Sequence, residues 1–248
     1  MQYKNSKLVQ TKEFVKKILK SVAFGRLIYP LFQKPYLWYA KPMKRRRLQN
    51  HGVAVLERFE NFMRREGIAH CMEFGTLLGF VRDHGFIKHD DDVDVVIMPG
   101  EIEPVALLKK FMDAGYGFIH GFNYEGKLIE FTIADPSQVT IDIFMPVRNA
   151  ENPEYFDYTI PFWDAKVSYP NEKANNVRCT TYLGDKDIHD IELLGLKLPV
   201  AGNAEAVLES EYGSWKLPDP NYKPEDHIKV KILPGFAYRL TKEEALLM

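Results

Sequence analysis

One nine-residue run, His89-Asp90-Asp91-Asp92-Val93-Asp94-Val95-Val96-Ile97, constrains this chain more than any other stretch. Its β-branched half, bounded by Pro99-Gly100, predicts a buried strand over Val93–Met98. Side chains alternate along a strand, so Asp92 and Asp94 share one face while Val93 and Val95 share the other. Two carboxylates about 7 Å apart on one strand face repel each other unless a cation lies between or beside them. Oxygen donors of this kind suit Mg²⁺, or Mn²⁺. Asp90 has the same parity but stands at the strand entrance, as an outer member of the group.

A second acid interrupts an apolar strand pattern in Thr140-Ile141-Asp142-Ile143-Phe144. A lone carboxylate there is costly unless it is paired or metal-bound. Two readings stand side by side. Asp142 pairs with an arginine such as Arg82 or Arg178, or its strand lies beside Val93–Met98 and brings three carboxylates to one patch. The second arrangement is what metal-assisted phosphoryl transfer needs: ligands for a divalent ion and an acid to take a proton from an attacking hydroxyl.

The surrounding pattern predicts an α+β domain. A helix carries Val55, Leu56, Phe59, Phe62 and Met63 and stops at Gly67. Ile68–Phe74 reads as a short strand, Leu77–Asp83 as a short helix and Ile102–Ala114 as another. Strands near Phe118–Tyr124, Leu128–Ala134 and Val139–Phe144 are separated by Glu125-Gly126 and Asp135-Pro136, as hairpin turns would do. Beyond residue 150 the signal weakens to an aromatic cluster (Tyr155–Trp163), a strand at Val177–Leu183 and a helix at Ala204–Tyr212. That helix has Asn203 as candidate N-cap and Gly213 as its stop.

Charge divides the chain unevenly. Residues 1–50 hold 13 basic side chains and one acid, Glu13, leaving 20 basic against 33 acidic in the remainder. Leu8, Phe14, Val15, Ile18, Leu19 and Val22 form an apolar stripe opposite Lys12, Lys16 and Lys20, a pattern that suits an anionic membrane surface or packing on another subunit. Residues 25–47, with Pro30, Pro35 and Pro42 and the run Lys44-Arg45-Arg46-Arg47, read as a connector. The expected division is a basic helical arm over 1–47 and a catalytic domain over 48–248. No uncharged apolar run has the length of a membrane span. Cys71 and Cys179 are too few for a disulfide framework or a four-cysteine zinc site, and Cys71 reads as a core residue. His51, His70, His84, His120, His189 and His227 show no ligand spacing.

Gly75-Thr76, placed after a strand and at the start of a helix, 17 residues before Asp92, reads as a turn into that helix and offers backbone N–H groups and a hydroxyl to a phosphate. A strand, Gly-Thr, a helix and then Asp-hydrophobic-Asp resembles the nucleotidyltransferase-fold signature. The longer stretches Glu73-Phe74-Gly75-Thr76-Leu77-Leu78-Gly79-Phe80-Val81-Arg82 and Gly85-Phe86-Ile87-Lys88-His89-Asp90-Asp91-Asp92-Val93-Asp94 resemble the LicD/fukutin family. Ile141-Asp142-Ile143-Phe144 fits that family's third carboxylate. Glu211-Tyr212-Gly213-Ser214-Trp215 with Pro218 is similar to its Tyr-Gly-x-x-Trp segment. The likeness is dense over 66–144, thin over 200–220 and absent before about residue 48.

The resemblance implies a nucleotidyltransferase-like mixed sheet with flanking helices. It also implies a metal-dependent phosphotransferase that moves phosphocholine or a polyol phosphate from a CDP-activated donor (CDP-choline, CDP-ribitol or CDP-glycerol) to a glycan or lipid-linked glycan hydroxyl, releasing CMP. Carried over, Asp92, Asp94 and Asp142 are the metal ligands and catalytic acids, while Gly75, Thr76 and Arg82 hold donor phosphates. The cofactor is Mg²⁺, with Mn²⁺ as substitute. No nucleic acid partner is expected, and the oligomeric state stays open. Some relatives have a cysteine zinc site and a membrane anchor; neither is seen here, which implies a bacterial enzyme of capsule, lipopolysaccharide or teichoic-acid synthesis, cytoplasmic or peripheral on the inner face of the membrane. Two other classes remain open at this point: a nucleotide-sugar glycosyltransferase using Asp-Val-Asp, and a non-catalytic scaffold.

Overall fold

A computed structural model describes residues 40–164, 166–218 and 230–248. The chain divides into two units, 1–43 and 44–248, and the architecture below is that of the second. The amphipathic pattern of the arm lies outside the described residues. The mixed α+β architecture expected from the sequence is present.

Helix α1 spans Lys41–Glu66. Residues 41–47, expected to belong to a connector, are therefore helical. Pro42 sits in the first turn, where a missing N–H leaves no intrahelical bond unmade. Then follow β1 (His70–Met72), α2 (Phe74–Leu78), a π-helical turn (Gly79–Asp83), β2 (Asp92–Ile97) and α3 (Pro104–Asp113). A meander comes next: β3 (Gly117–Tyr124), β4 (Lys127–Ala134) and β5 (Thr140–Phe144). The chain continues through β6 (Val147–Arg148), β7 (Tyr155–Phe162), β8 (Ala174–Leu183), the hairpin β9 (His189–Leu193) and β10 (Leu196–Val200), then α4 (Ala204–Tyr212), β11 (Val230–Leu240) and α5 (Lys242–Leu246).

Nine strands form one mixed sheet in the order β1-β2-β5-β4-β3-β11-β8-β7-β6, and β9 and β10 pair separately. β2 and β5 are parallel; the other pairings are antiparallel. The hairpin turn Glu125-Gly126 has φ of 51° and 80°, the left-handed pair that a two-residue turn between twisted strands requires.

The sheet separates two apolar layers. On one face α1 (Val55, Leu56, Phe59, Met63) and α3 (Leu107, Leu108, Phe111) cover Val93, Val95, Phe131, Ile133, Ile141 and Ile143. On the other, α2 and α4 with Phe156, Tyr158 and Tyr182 enclose Cys71 and Val96. Cys71 is fully buried, the core role its strand context suggested. Phe111 is the hub of the first layer, stacked on Phe62 at 4.7 Å and Phe59 at 5.8 Å and edge-on to Phe131 at 6.3 Å. Phe111→Ala should cost about 3–5 kcal/mol, read as a lower urea midpoint at unchanged m-value.

Asn203 does not cap α4 with its side chain. Its amide instead ties the preceding loop, accepting from Lys186 N and donating to Gly184 O. Gly213 ends the helix at φ 65°, as expected.

Candidate active site

The acidic face forms where β2 and β5 run parallel. Their register sets Asp92 beside Thr140 and Asp94 beside Asp142. Odd-numbered neighbours on β2 (Val93, Val95) and on β5 (Ile141, Ile143) go into the α1/α3 layer, so period-two alternation turns Asp92, Asp94 and Asp142 together to the other face. These three sequence-predicted acids are brought to one patch.

Repulsion and burial raise their proton affinities. Asp92 is pushed to about 7 by burial, then by Asp142 and Asp91, while Lys44 opposes the shift. Burial first, and then Asp92, Asp142 and Asp90, hold Asp94 well above the ordinary carboxylate range. Asp142 is raised mainly by burial and is eased back by a hydrogen bond from Thr132 and by Lys44. Neither Arg82 nor Arg178 is its partner: the Thr132 hydroxyl donates to Asp142 Oδ1 at 2.6 Å.

The Gly75-Thr76 pair stands at the start of a helix, as expected, but inside its first turn rather than in a turn ahead of Leu77. It lies within α2, whose N-cap is Glu73. The reversal of direction falls on Phe74, a non-glycine residue at φ 46°. That conformation costs roughly 1–2 kcal/mol. The Phe74 ring is held by Phe144 at 4.9 Å, Tyr158 at 5.4 Å and Tyr182 at 5.7 Å. With the chain so bent, a Cβ on Gly75 would stand 3.0 Å from Asp90 Oδ2 and 3.3 Å from Asp94 Oδ2. Glycine therefore leaves room for the carboxylates, and Asp90 belongs to the patch rather than to its margin. The Thr76 hydroxyl accepts from Asp94 N at 2.9 Å and Glu73 N donates to Asp94 O at 3.1 Å, which together fasten α2 to the acidic strand. Arg82 is held by Asp83 through two hydrogen bonds of 2.8 and 2.9 Å, and Asp90 is among the charges that act on it.

Several residues near the patch were not among the expected site residues. Lys44, read as part of a connector, reaches Thr140 Oγ1 at 3.5 Å and is the cation acting on Asp92 and Asp142. Glu130 lies on β4 two residues from Thr132, opposite Phe144 of β5, and is raised to about 8 by burial and Asp142. Behind Phe74 lies a second acidic group. Glu73, Asp185 and Glu211 are all buried, and Tyr158 donates to Glu73 Oε1 at 3.0 Å. These acids have raised pKa values, mainly through burial, with Asp185 near 7 and Glu211 near 8. Glu73 belongs to the first block of the resemblance and Glu211 to the C-terminal block, so the two blocks meet here.

As a cation site, the patch fits in donor type and in charge: hard oxygen ligands, excess negative charge and a space at Gly75 that a Cβ would fill. Among the described residues no three His, Cys, Asp or Glu side chains are already gathered around one point as metal ligands. No helix among them is long and apolar enough to cross a membrane.

Residues 67–184 match the family model described as the LicD/FKTN/FKRP nucleotidyltransferase domain. Ribitol-5-phosphate transferase FKTN from Mus musculus is 25% identical over 154 residues, which is 61% of this chain and 30% of that protein. The chain thus spans less than a third of the length of this curated relative. Among solved structures, the lincomycin-bound lincosamide antibiotic adenylyltransferase LnuA superposes with a TM-score of 0.37 at 11% identity, over 62% of this chain and 82% of that one. The family match and the acids on β2 and β5 fall on the same stretch of sequence, and residues 67–184 of this chain are similar to the LicD/FKTN/FKRP nucleotidyltransferase domain.

Proposed function

We propose that this chain is a phosphotransferase that moves an alcohol-phosphate group, phosphocholine or a polyol phosphate, from a CDP-activated donor to a glycan hydroxyl and releases CMP. The observation that carries this reading is the register Asp94 beside Asp142 on parallel strands, which turns three aspartates to one face. The name of the relative, a ribitol-5-phosphate transferase, supports the group transferred.

In this reading Asp92, Asp94 and Asp142 would hold Mg²⁺ or Mn²⁺, which neutralises charge growing on the phosphate oxygens. The acceptor oxygen forms a bond to the β-phosphorus of the donor as the bond from that phosphorus to the CMP oxygen breaks. The hydroxyl proton passes to Asp142. Gly75, which has no side chain to fill the space beside Asp90 and Asp94, and Arg82, braced by Asp83, contact the donor phosphates, and Thr76 acts by holding Asp94 in place. Lys44 adds a positive charge at the same patch. The acceptor is a cell-surface or lipid-linked glycan, and the reaction runs at the cytoplasmic face with the basic stretch that precedes α1 against anionic headgroups. The charge pattern of the sequence supports that placement.

Product analysis tests the reading. With Mg²⁺ and the matching donor among CDP-choline, CDP-ribitol and CDP-glycerol, CMP should appear together with phosphate on the acceptor. Release of a nucleoside diphosphate with sugar transfer would identify a glycosyltransferase instead. The donor that is turned over should also raise the melting temperature in the presence of Mg²⁺, and no shift with any of the three would count against the CDP-linked donor.

A further inference from the structure

Four polar residues form a row across the sheet. Asp94 of β2 lies beside Asp142 of β5, Asp142 beside Thr132 of β4, and Thr132 beside His120 of β3. The two central contacts are short: Thr132 Oγ1 to Asp142 Oδ1 at 2.6 Å and His120 Nε2 to Thr132 Oγ1 at 3.1 Å. A threonine hydroxyl has a single hydrogen, and an ionised carboxylate accepts only. The hydrogen of Thr132 therefore goes to Asp142. The contact with His120 must then run the other way, from an Nε2–H into the lone pair of Thr132.

We infer that Thr132 and His120 are positioning residues for Asp142, a hydroxyl and an imidazole that fix the direction of its carboxylate and leave Oδ2 as the oxygen available to a divalent cation. The inference rests on the proposed function, since it assigns the support of a site that reading uses. His120 is suited to the task. Burial is the main reason its proton affinity falls to about 4, assisted by Arg239 and Lys44, so near neutrality the ring carries one N–H. Its Nδ1 is buried with no hydrogen-bond partner, which leaves the proton on Nε2 facing Thr132. Outer hydrogen bonds of this kind orient metal ligands, and their removal commonly lowers metal affinity about 10–100-fold.

The experiment is Mn²⁺ titration calorimetry on the full chain. Thr132→Val keeps the shape and removes the hydroxyl, and should weaken Mn²⁺ binding about 10–100-fold, measured below the melting transition of each protein. Thr132→Ser should restore binding to within about threefold, and His120→Gln, which keeps an amide donor, should bind better than His120→Leu. Wild-type affinity in Thr132→Val overturns the inference. If the wild-type chain itself binds no Mn²⁺, the proposed cofactor fails, and crystal structures of wild type and Thr132→Val then decide the positioning role. A rotated Asp142 carboxylate in the variant sustains it, and an unmoved one overturns it.

Discussion

Replacing Asp92 and Asp94 together by asparagine should lower turnover by about 10³-fold or more while making the metal-free protein more stable at pH 8. The loss follows from the role of the patch: two anionic oxygen donors become neutral amides, and an electrostatic contribution of roughly 4 kcal/mol to the transition state corresponds to about three powers of ten. The gain in stability has the opposite origin. Asp92 stands at about 7 in the folded chain against an ordinary 3.8, and Asp94 is displaced in the same direction. Between the unfolded and folded values the folded state binds more protons. The stabilisation is complete at low pH and is lost as pH rises from about 4 through 7. Asparagine carries no proton to lose, so the variant should show a flatter profile across that window when melting is followed in EDTA. Added Mg²⁺ should stabilise the wild type at pH 8 and leave the variant unmoved. Retained turnover in the double variant would remove these aspartates from the chemistry. An unaltered pH profile would mean that their charges do not oppose one another as the register indicates.

The parts of this site that were legible in the sequence are those set by local periodicity. Asp92 and Asp94 share a face because strand side chains alternate, and Asp142 stands out because its neighbours Ile141 and Ile143 are apolar. The His120–Thr132 contact was not legible, for a specific reason. A two-residue turn at Glu125-Gly126 pairs Tyr124 with Lys127 and Asn123 with Leu128, and an uninterrupted ladder would set His120 opposite Phe131, on the core side. A register shift between Phe122 and Asn123 places His120 opposite Thr132 instead. One residue of slip exchanges the two faces of a strand, and no turn signal announces it. The basic run at Lys44 was misplaced because Pro42 looked like a helix breaker, whereas in the first turn it is a tolerated start. Strand β11 enters between β3 and β8 from the far end of the chain, a non-local pairing that local patterns do not encode.

The second large effect concerns the buried acids behind Phe74. Glu73, Asp185 and Glu211 act on one another's proton affinities: burial, then Asp185 and Glu211, hold Glu73 well above the ordinary carboxylate range, and Glu73 also receives the Tyr158 hydroxyl. Three ionised carboxylates in so dry a place would repel strongly, so the folded chain keeps protons that the unfolded chain gives up. With Asp185 near 7 and Glu211 near 8, the sign is the same as for the aspartate patch but the window reaches higher. Stability is complete below about pH 4 and declines as pH rises through 7 and 8, by several kcal/mol in order of magnitude. The urea midpoint in EDTA should therefore drop markedly between pH 6 and 9. Glu211→Gln, which holds similar volume without a charge, should flatten that drop and exceed the wild type at pH 8.5. Glu73→Ala should lower the midpoint below pH 6, where the group is protonated, since it opens a cavity and strips the buried Tyr158 hydroxyl of its acceptor, a loss of about 2–4 kcal/mol. A midpoint that stays level from pH 6 to 9, or a Glu211→Gln protein weaker than wild type at pH 8.5, would show that these acids are not protonated in the fold. Because Glu73 precedes the bend at Phe74, and that bend seats Gly75 against Asp90 and Asp94, proton loss from this group would loosen the support of the acidic patch itself.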